Sequence, residues 1–184
     1  MLIRHRPPHI DDKPVTVTKG FEHLSDEWIA VLRWLKASRV EFVLVGPAAE
    51  AVRGNVLASG PVAIVPAPYR RNFERLARTL TAAHACLRMD TGVSAGDQET
   101  AQVKLTGEKL ARGQRWTLRC GTHDLDIEAR PEGVPSYQEL LYEAGRYQLS
   151  ADLSVDVASP EDIEHFDHVR RTGTTPEIRI TRVG

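Results

Sequence analysis

Three carboxylates alternate along one short run of the chain, Asp124, Asp126 and Glu128 in DLDIEA. Leu125, Ile127 and Ala129 fill the positions between them. Successive side chains of a strand point to opposite faces, so this spacing sets all three acids on one face. Such a row can hold a divalent cation, because hard metal ions take several oxygen ligands. It is also what the solvent-facing side of an ordinary strand looks like. His123, just before the row, offers an acid–base partner to Asp124 or Asp126, and a plain turn histidine is the other reading. His165 and His168 stand at no metal-ligand spacing with another donor and read as exposed helix residues. No Ser-His-Asp or Cys-His arrangement stands out.

A second charged feature lies in PAPYRRNFERLARTLTAA. Phe73, Leu76, Ala77 and Leu80 recur at helical spacing, with Arg70, Arg71, Arg75 and Arg78 elsewhere around the helix. These arginines can meet phosphate or nucleic acid, or form a solvated helix face.

The elements that must position these residues are readable from apolar patterning. Strands are expected over 41–45, 62–65, 115–120, 124–129 and 153–157. Helices are expected over 26–37, 69–83, 136–144 and 160–170, with a further one over 99–110 that Gly107 weakens. Ser25 can cap the first, and Trp28, Val31, Leu32 and Leu35 give it an apolar face, with Trp28 and Trp34 read as core residues. Ser136 with Glu139 forms a capping box, and Ser159-Pro160-Glu161-Asp162 is another strong helix start. Between the first two strands, Gly46-Pro47 makes a turn into a short helix over 48–53 that Gly54 can end. Residues 1–20 read as an N-terminal arm, in which Val15–Thr18 can form an edge strand. Residues 21–184 read as a single domain with a last strand over 177–182.

Composition bounds the reading. The chain has 184 residues, 41% hydrophobic and 27% charged, and a net charge of -1. It belongs with globular proteins, and its net charge argues against a general polyanion binder while leaving room for a local basic patch. Cys86 and Cys120 are far apart and outside any metal spacing, which suits reduced thiols. No apolar run approaches the roughly 20 residues that cross a bilayer, and the N-terminus lacks the apolar core of a secretion signal. A cytoplasmic protein with no membrane partner is expected.

The order and spacing of residues 26–171 resemble the nucleotidyltransferase fold, especially the small bacterial nucleotidyltransferases of abortive-infection and toxin–antitoxin systems. In that family an apolar strand leads through a glycine pair and a short helix to Thr-x-Asp-x-Asp. Here Gly46-Pro47 stands at the glycine pair, Ser59 at the Thr, and Pro61 and Ala63 at the two aspartates. Asp126, in Leu125-Asp126-Ile127, matches the third carboxylate, followed by Gly133 and the helix start at 136–140. Asn72-Phe73 and the Ser-Pro-Glu-Asp segment also match. Asp167 stands where the family has a lysine facing the nucleotide phosphates.

The resemblance implies an α/β (α+β) nucleotidyltransferase-like mixed sheet flanked by helices, with its metal-binding pair missing. Asp126 is its vestigial catalytic residue, and Gly46, Ser59, Arg70 and Arg71 are candidate substrate-binding residues. The expected function is that of a non-catalytic binding or regulatory protein of a toxin–antitoxin or defence system, with a protein or nucleic-acid partner and no cofactor. The alternative is an active metal-dependent nucleotidyltransferase with a rebuilt site. It would use Asp124, Asp126 and Glu128, perhaps with Glu50, together with Mg2+ or Mn2+ and an NTP. A third reading is a small-ligand protein that uses the old cleft for other chemistry.

Overall fold

The two apolar runs on either side of the Gly46 turn pair with each other at the centre of a sheet. In a computed structural model, which describes residues 21–88 and 104–173, Phe42–Val45 (β1) and Val62–Pro66 (β2) run antiparallel, with Val45 opposite Ala63. Every residue of both strands is buried. Strands covered on both faces read as unbroken apolar runs, and these do. Cys86–Leu87 (β3), Trp116–Cys120 (β4) and His123–Ile127 (β5) extend the sheet on one side, and Gly145–Ser150 (β6) and Leu153–Val157 (β7) on the other. The order is β3-β4-β5-β2-β1-β7-β6, with β2–β5 and β1–β7 parallel and the other pairs antiparallel. This is the expected α/β class, a mixed sheet with helices around it. The described residues build this single sheet, and the N-terminal arm lies outside them.

Most of the helices open with a local device visible in the sequence. Helix α1 (Asp26–Ala37) is capped by the Ser25 hydroxyl, which accepts from the Trp28 N–H at 3.1 Å. Helix α2 (Gly46–Val52) follows β1 directly. Helix α3 (Arg70–Ala82) is fixed by Asn72, which is buried although polar. Its amide donates to the carbonyls of Glu41 and Ala67 at 2.8 and 3.0 Å and accepts from the Glu41 N–H at 2.8 Å. Asn72 thus replaces backbone partners where β1 begins and β2 ends, leaving no buried donor orphaned. Helix α4 (Gly107–Ala111) opens at Thr106, α5 (Tyr137–Glu143) carries the Ser136–Glu139 capping box, and α6 (Pro160–Thr172) is capped by Ser159. Arg53, just past α2, donates to the carbonyls of Ala158 and Val157 at 2.7 and 3.2 Å and ties α2 to the end of β7.

Three expectations need correction. The helix expected over 99–110 is the short α4 instead. Thr106 accepts from the Lys109 N–H at 3.2 Å, so Gly107 is the first helical residue and not an interior one. Strand β6 is not among the expected strands, although Tyr147 and Leu149 alternate with Arg146, Gln148 and Ser150; all six residues are half-buried. Strand β3 is two residues long, too short to read. The expected Val15–Thr18 strand, the 177–182 strand and the start of the 99–110 helix lie outside the described residues. Among the described residues, no helix is long and apolar enough to cross a membrane.

Candidate functional site

The chain leaves β1 at Gly46 with φ of 68°, in the left-handed region. A Cβ at Gly46 would fall 2.8 Å from the Cβ of Ala63. Glycine is required there on both counts, conformation and space. Ala63 is fully buried beneath the turn, so the turn closes over position 63 and leaves no opening beside it. The loop before β2 is pinned as well. The Gly60 carbonyl accepts from the Trp28 indole at 2.8 Å, and a Cβ at Gly60 would meet Pro47 at 2.9 Å. Ser59 is exposed in this loop and Pro61 is half-buried.

Ala63 pairs in register with Asp126 on β5. Asp126 is 1% exposed and lies between two guanidinium groups. Arg88, just past β3, donates to Oδ1 at 2.8 Å, and Arg115, just before β4, donates to Oδ2 at 3.1 Å. The same two arginines reach the neighbouring acids: Arg88 lies 3.8 Å from Asp124 and Arg115 3.7 Å from Glu128. Arg119 completes the set, at 2.9 Å from Asp124. The three carboxylates thus share one face, as expected, and the solvent-facing alternative fails at its inner end, where Asp126 and Glu128 are buried.

Glu128 is the least satisfied member. Its Oε1 and the Nε of Arg115 make no hydrogen bond among the described residues. Burial, partly offset by the nearby Arg115 and Arg170 charges, pushes the Glu128 carboxyl above the usual carboxylate range. Arg170 comes from α6. Its Nη1 lies 3.7 Å from where a Gly46 Cβ would stand, and it pairs with Asp167 one turn back. Asp167, the residue at the lysine position of the resemblance, is an acid paired within its own helix. Its charge is met by Arg170, and a cation from the same helix stands over the turn.

The other candidates do not join this cluster. Glu50 accepts from Asn55 at 3.4 Å and lines a separate cavity of about 460 Å3 with Arg53, Asp167 and Arg171. Arg70 and Arg71 open α3 beyond Pro66, which pairs with Phe42 at the far end of β1 from Gly46. Arg70 is engaged with Glu74 at 3.0 Å. Neither arginine shares a site with Gly46 or Ser59. His123 has Glu27 as its acidic neighbour, at 3.9 Å from Nδ1, in place of the expected Asp124 or Asp126. Cys86 and Cys120 are both free, and burial pushes the Cys120 thiol up to about 12.

Four arginines at this site are not singled out by the sequence: Arg88, Arg115, Arg119 and Arg170. A signal existed for Arg115. Strands β4 and β5 form a hairpin in which Arg119 faces Asp124 and Thr117 faces Asp126, so R-x-T-x-R runs against D-x-D-x-E. The chemical capacity of this face follows from its pairing. Asp124, Asp126 and Glu128 are the groups that could ligate a metal ion, and guanidinium groups hold them. Among the described residues, no group of three or more metal-ligating side chains is placed to hold an ion. No protein-family model matches the chain, and no curated protein matches it.

Proposed function

We propose that this chain is a nucleotidyltransferase-like protein with a degenerate centre, acting as a non-catalytic binding and regulatory protein. One observation carries the reading: Asp126, the single carboxylate left of the expected three, is held on both oxygens by Arg88 and Arg115 and faces Ala63 across the sheet. Nucleotidyl transfer places negative charge on a phosphate in flight, and clustered carboxylates usually hold two metal ions that neutralise it. A divalent ion at Asp126 would have to displace two charge-assisted hydrogen bonds and also shed water, which magnesium does reluctantly. Ala63 supplies no second ligand. Arginines in this arrangement fix the carboxylates structurally.

The rebuilt-site alternative has one observation in its favour, the unpartnered Oε1 of Glu128 near Asp126. Incubation with α-labelled ATP, GTP, CTP and UTP, Mg2+ or Mn2+, and RNA or protein acceptors separates the two. The pseudoenzyme reading expects no label transfer. Transfer that disappears in Asp126→Ala would establish the rebuilt site and sink the proposal.

A further inference from the structure

A local excess of positive charge lies where α1 ends and along α3, away from the carboxylate face. Residues 28–39 contain Arg33, Lys36 and Arg39 and no acid, and Arg70–Ala82 contains four arginines and one glutamate. The chain as a whole carries a net charge of -1, so both segments are locally basic in a nearly neutral chain. The C-terminal halves of α1 and α3 flank an open groove of about 550 Å3, lined by Trp34, Ser38, Arg39, Arg75, Arg78 and Thr79, with no acid among the described residues of its lining. Among the described residues none of the three arginines forms an ion pair. Arg75 donates only to the backbone carbonyl of Arg39, at 3.2 Å.

Arg39 is held there against backbone preference. It occupies the left-handed position that ends α1, with φ of 58°. The Arg39 N–H bonds the Lys36 carbonyl and the Val40 N–H the Leu35 carbonyl, the pattern in which glycine is favoured. A cation there suits the negative end of α1, at a backbone position that glycine fills more readily. The side chain lines the groove beside Arg75 and Trp34.

We infer that this groove binds single-stranded nucleic acid, with Arg39, Arg75 and Arg78 on successive phosphates and the half-buried Trp34 indole stacking on a base. Unpaired guanidiniums meet the backbone phosphates, and an aromatic face beside them accepts any base. The open form of the groove suits a polymer that passes through it. The inference deepens the reading as a binding protein by naming its partner class. Label transfer tests the loss of catalysis and the experiment below tests the groove, so either can fail alone.

The test is fluorescence anisotropy of the full chain with a 12-nucleotide single-stranded RNA of mixed sequence, across a salt series, with the matching duplex and polyglutamate as competitors. Wild type should bind saturably at 100 mM salt. The R39Q/R75Q/R78Q variant should bind at least tenfold more weakly, with its salt slope reduced by about 2, as loss of three phosphate contacts requires. Trp34→Ala should weaken binding by about fivefold or more at an unchanged salt slope. Arg39→Gly should weaken binding while raising Tm by about 1–4 °C, so weakened binding there cannot come from unfolding. Absence of saturable binding, equal affinity in the triple variant, or equal competition by duplex or polyglutamate would overturn the inference.

Discussion

Arginine plays opposite parts in two regions of this molecule. On the β3–β4–β5 face, Arg88, Arg115 and Arg119 each meet a carboxylate, and the inner acids are buried. In the groove between α1 and α3, Arg39, Arg75 and Arg78 meet no acid among the described residues, and two of them are exposed. Where a charge is already answered within the fold, a ligand must break that pairing before it can bind. Where it is left unanswered beside water, a ligand has nothing to displace but water and counterions. The face that looks most like a catalytic centre in the sequence is therefore the less available of the two. The helix surface that reads as ordinary solvation is the more available.

Substitutions can break this comparison or sharpen it. The largest effect belongs to Arg115→Met, which leaves Asp126 and Glu128 buried with less compensation. It should cost about 3 kcal/mol in chemical denaturation, as removal of one partner of a buried pair does. Asn72→Leu should cost about 2 kcal/mol, because the Glu41 N–H and the Glu41 and Ala67 carbonyls each lose one hydrogen bond and a buried polar site becomes apolar. It tests the anchor of the helix that carries half of the groove. Arg39→Gly should have the opposite sign and stabilise by up to about 1 kcal/mol. Arg78→Ala should change stability by no more than about 0.5 kcal/mol, as expected of a surface residue without special contacts. Equal costs for Arg78→Ala and Arg115→Met would erase the contrast between the regions.

The pH dependence gives a finer test. Burial raises the Glu128 carboxyl above its unfolded value, so the folded state binds the extra proton between the two values. Glu128 therefore adds stability that is fully present below the ordinary carboxylate range, near about 4.3. This stability is lost as pH rises through the raised folded value. Asp162 is raised by burial in the same sense. Urea denaturation of Glu128→Gln over pH 4 to 8 should show a smaller loss of stability with rising pH than wild type. An unchanged profile would mean that the Glu128 charge is fully compensated.

Much of the fold was legible because local signals agreed with one another. The caps at Ser25, Ser136 and Ser159 each make the expected hydrogen bond, and the buried central strands are unbroken apolar runs. Strand β6 carries a weak period-two signal, Tyr147 and Leu149 between Arg146, Gln148 and Ser150, with only two apolar residues and no buried one to mark it as a strand. The carboxylate row was legible as a face, but its partners were not. Arg115 and Arg119 follow from the hairpin register once both strands are accepted. Arg88 could not be read, because it follows a two-residue edge strand whose pairing is set by tertiary packing. Arg170 could not be read, because nothing in the sequence marks it, and it reaches the Gly46 turn only through the packing of α6. Position 63 could be read as alanine, but its closure depends on the approach of Gly46 at 2.8 Å, which only the three-dimensional turn reveals.

The central claim is that guanidinium groups hold the carboxylates where catalysis would need metal ions. The most direct measurement is the thermal stability of the full chain with Mg2+ or Mn2+, alone and with each of the four NTPs. Anything that binds the native state raises its melting temperature. The account predicts no metal-dependent rise, in wild type or in Asp126→Ala. A metal-dependent rise in wild type that Asp126→Ala abolishes would contradict it and place a working metal site at β5.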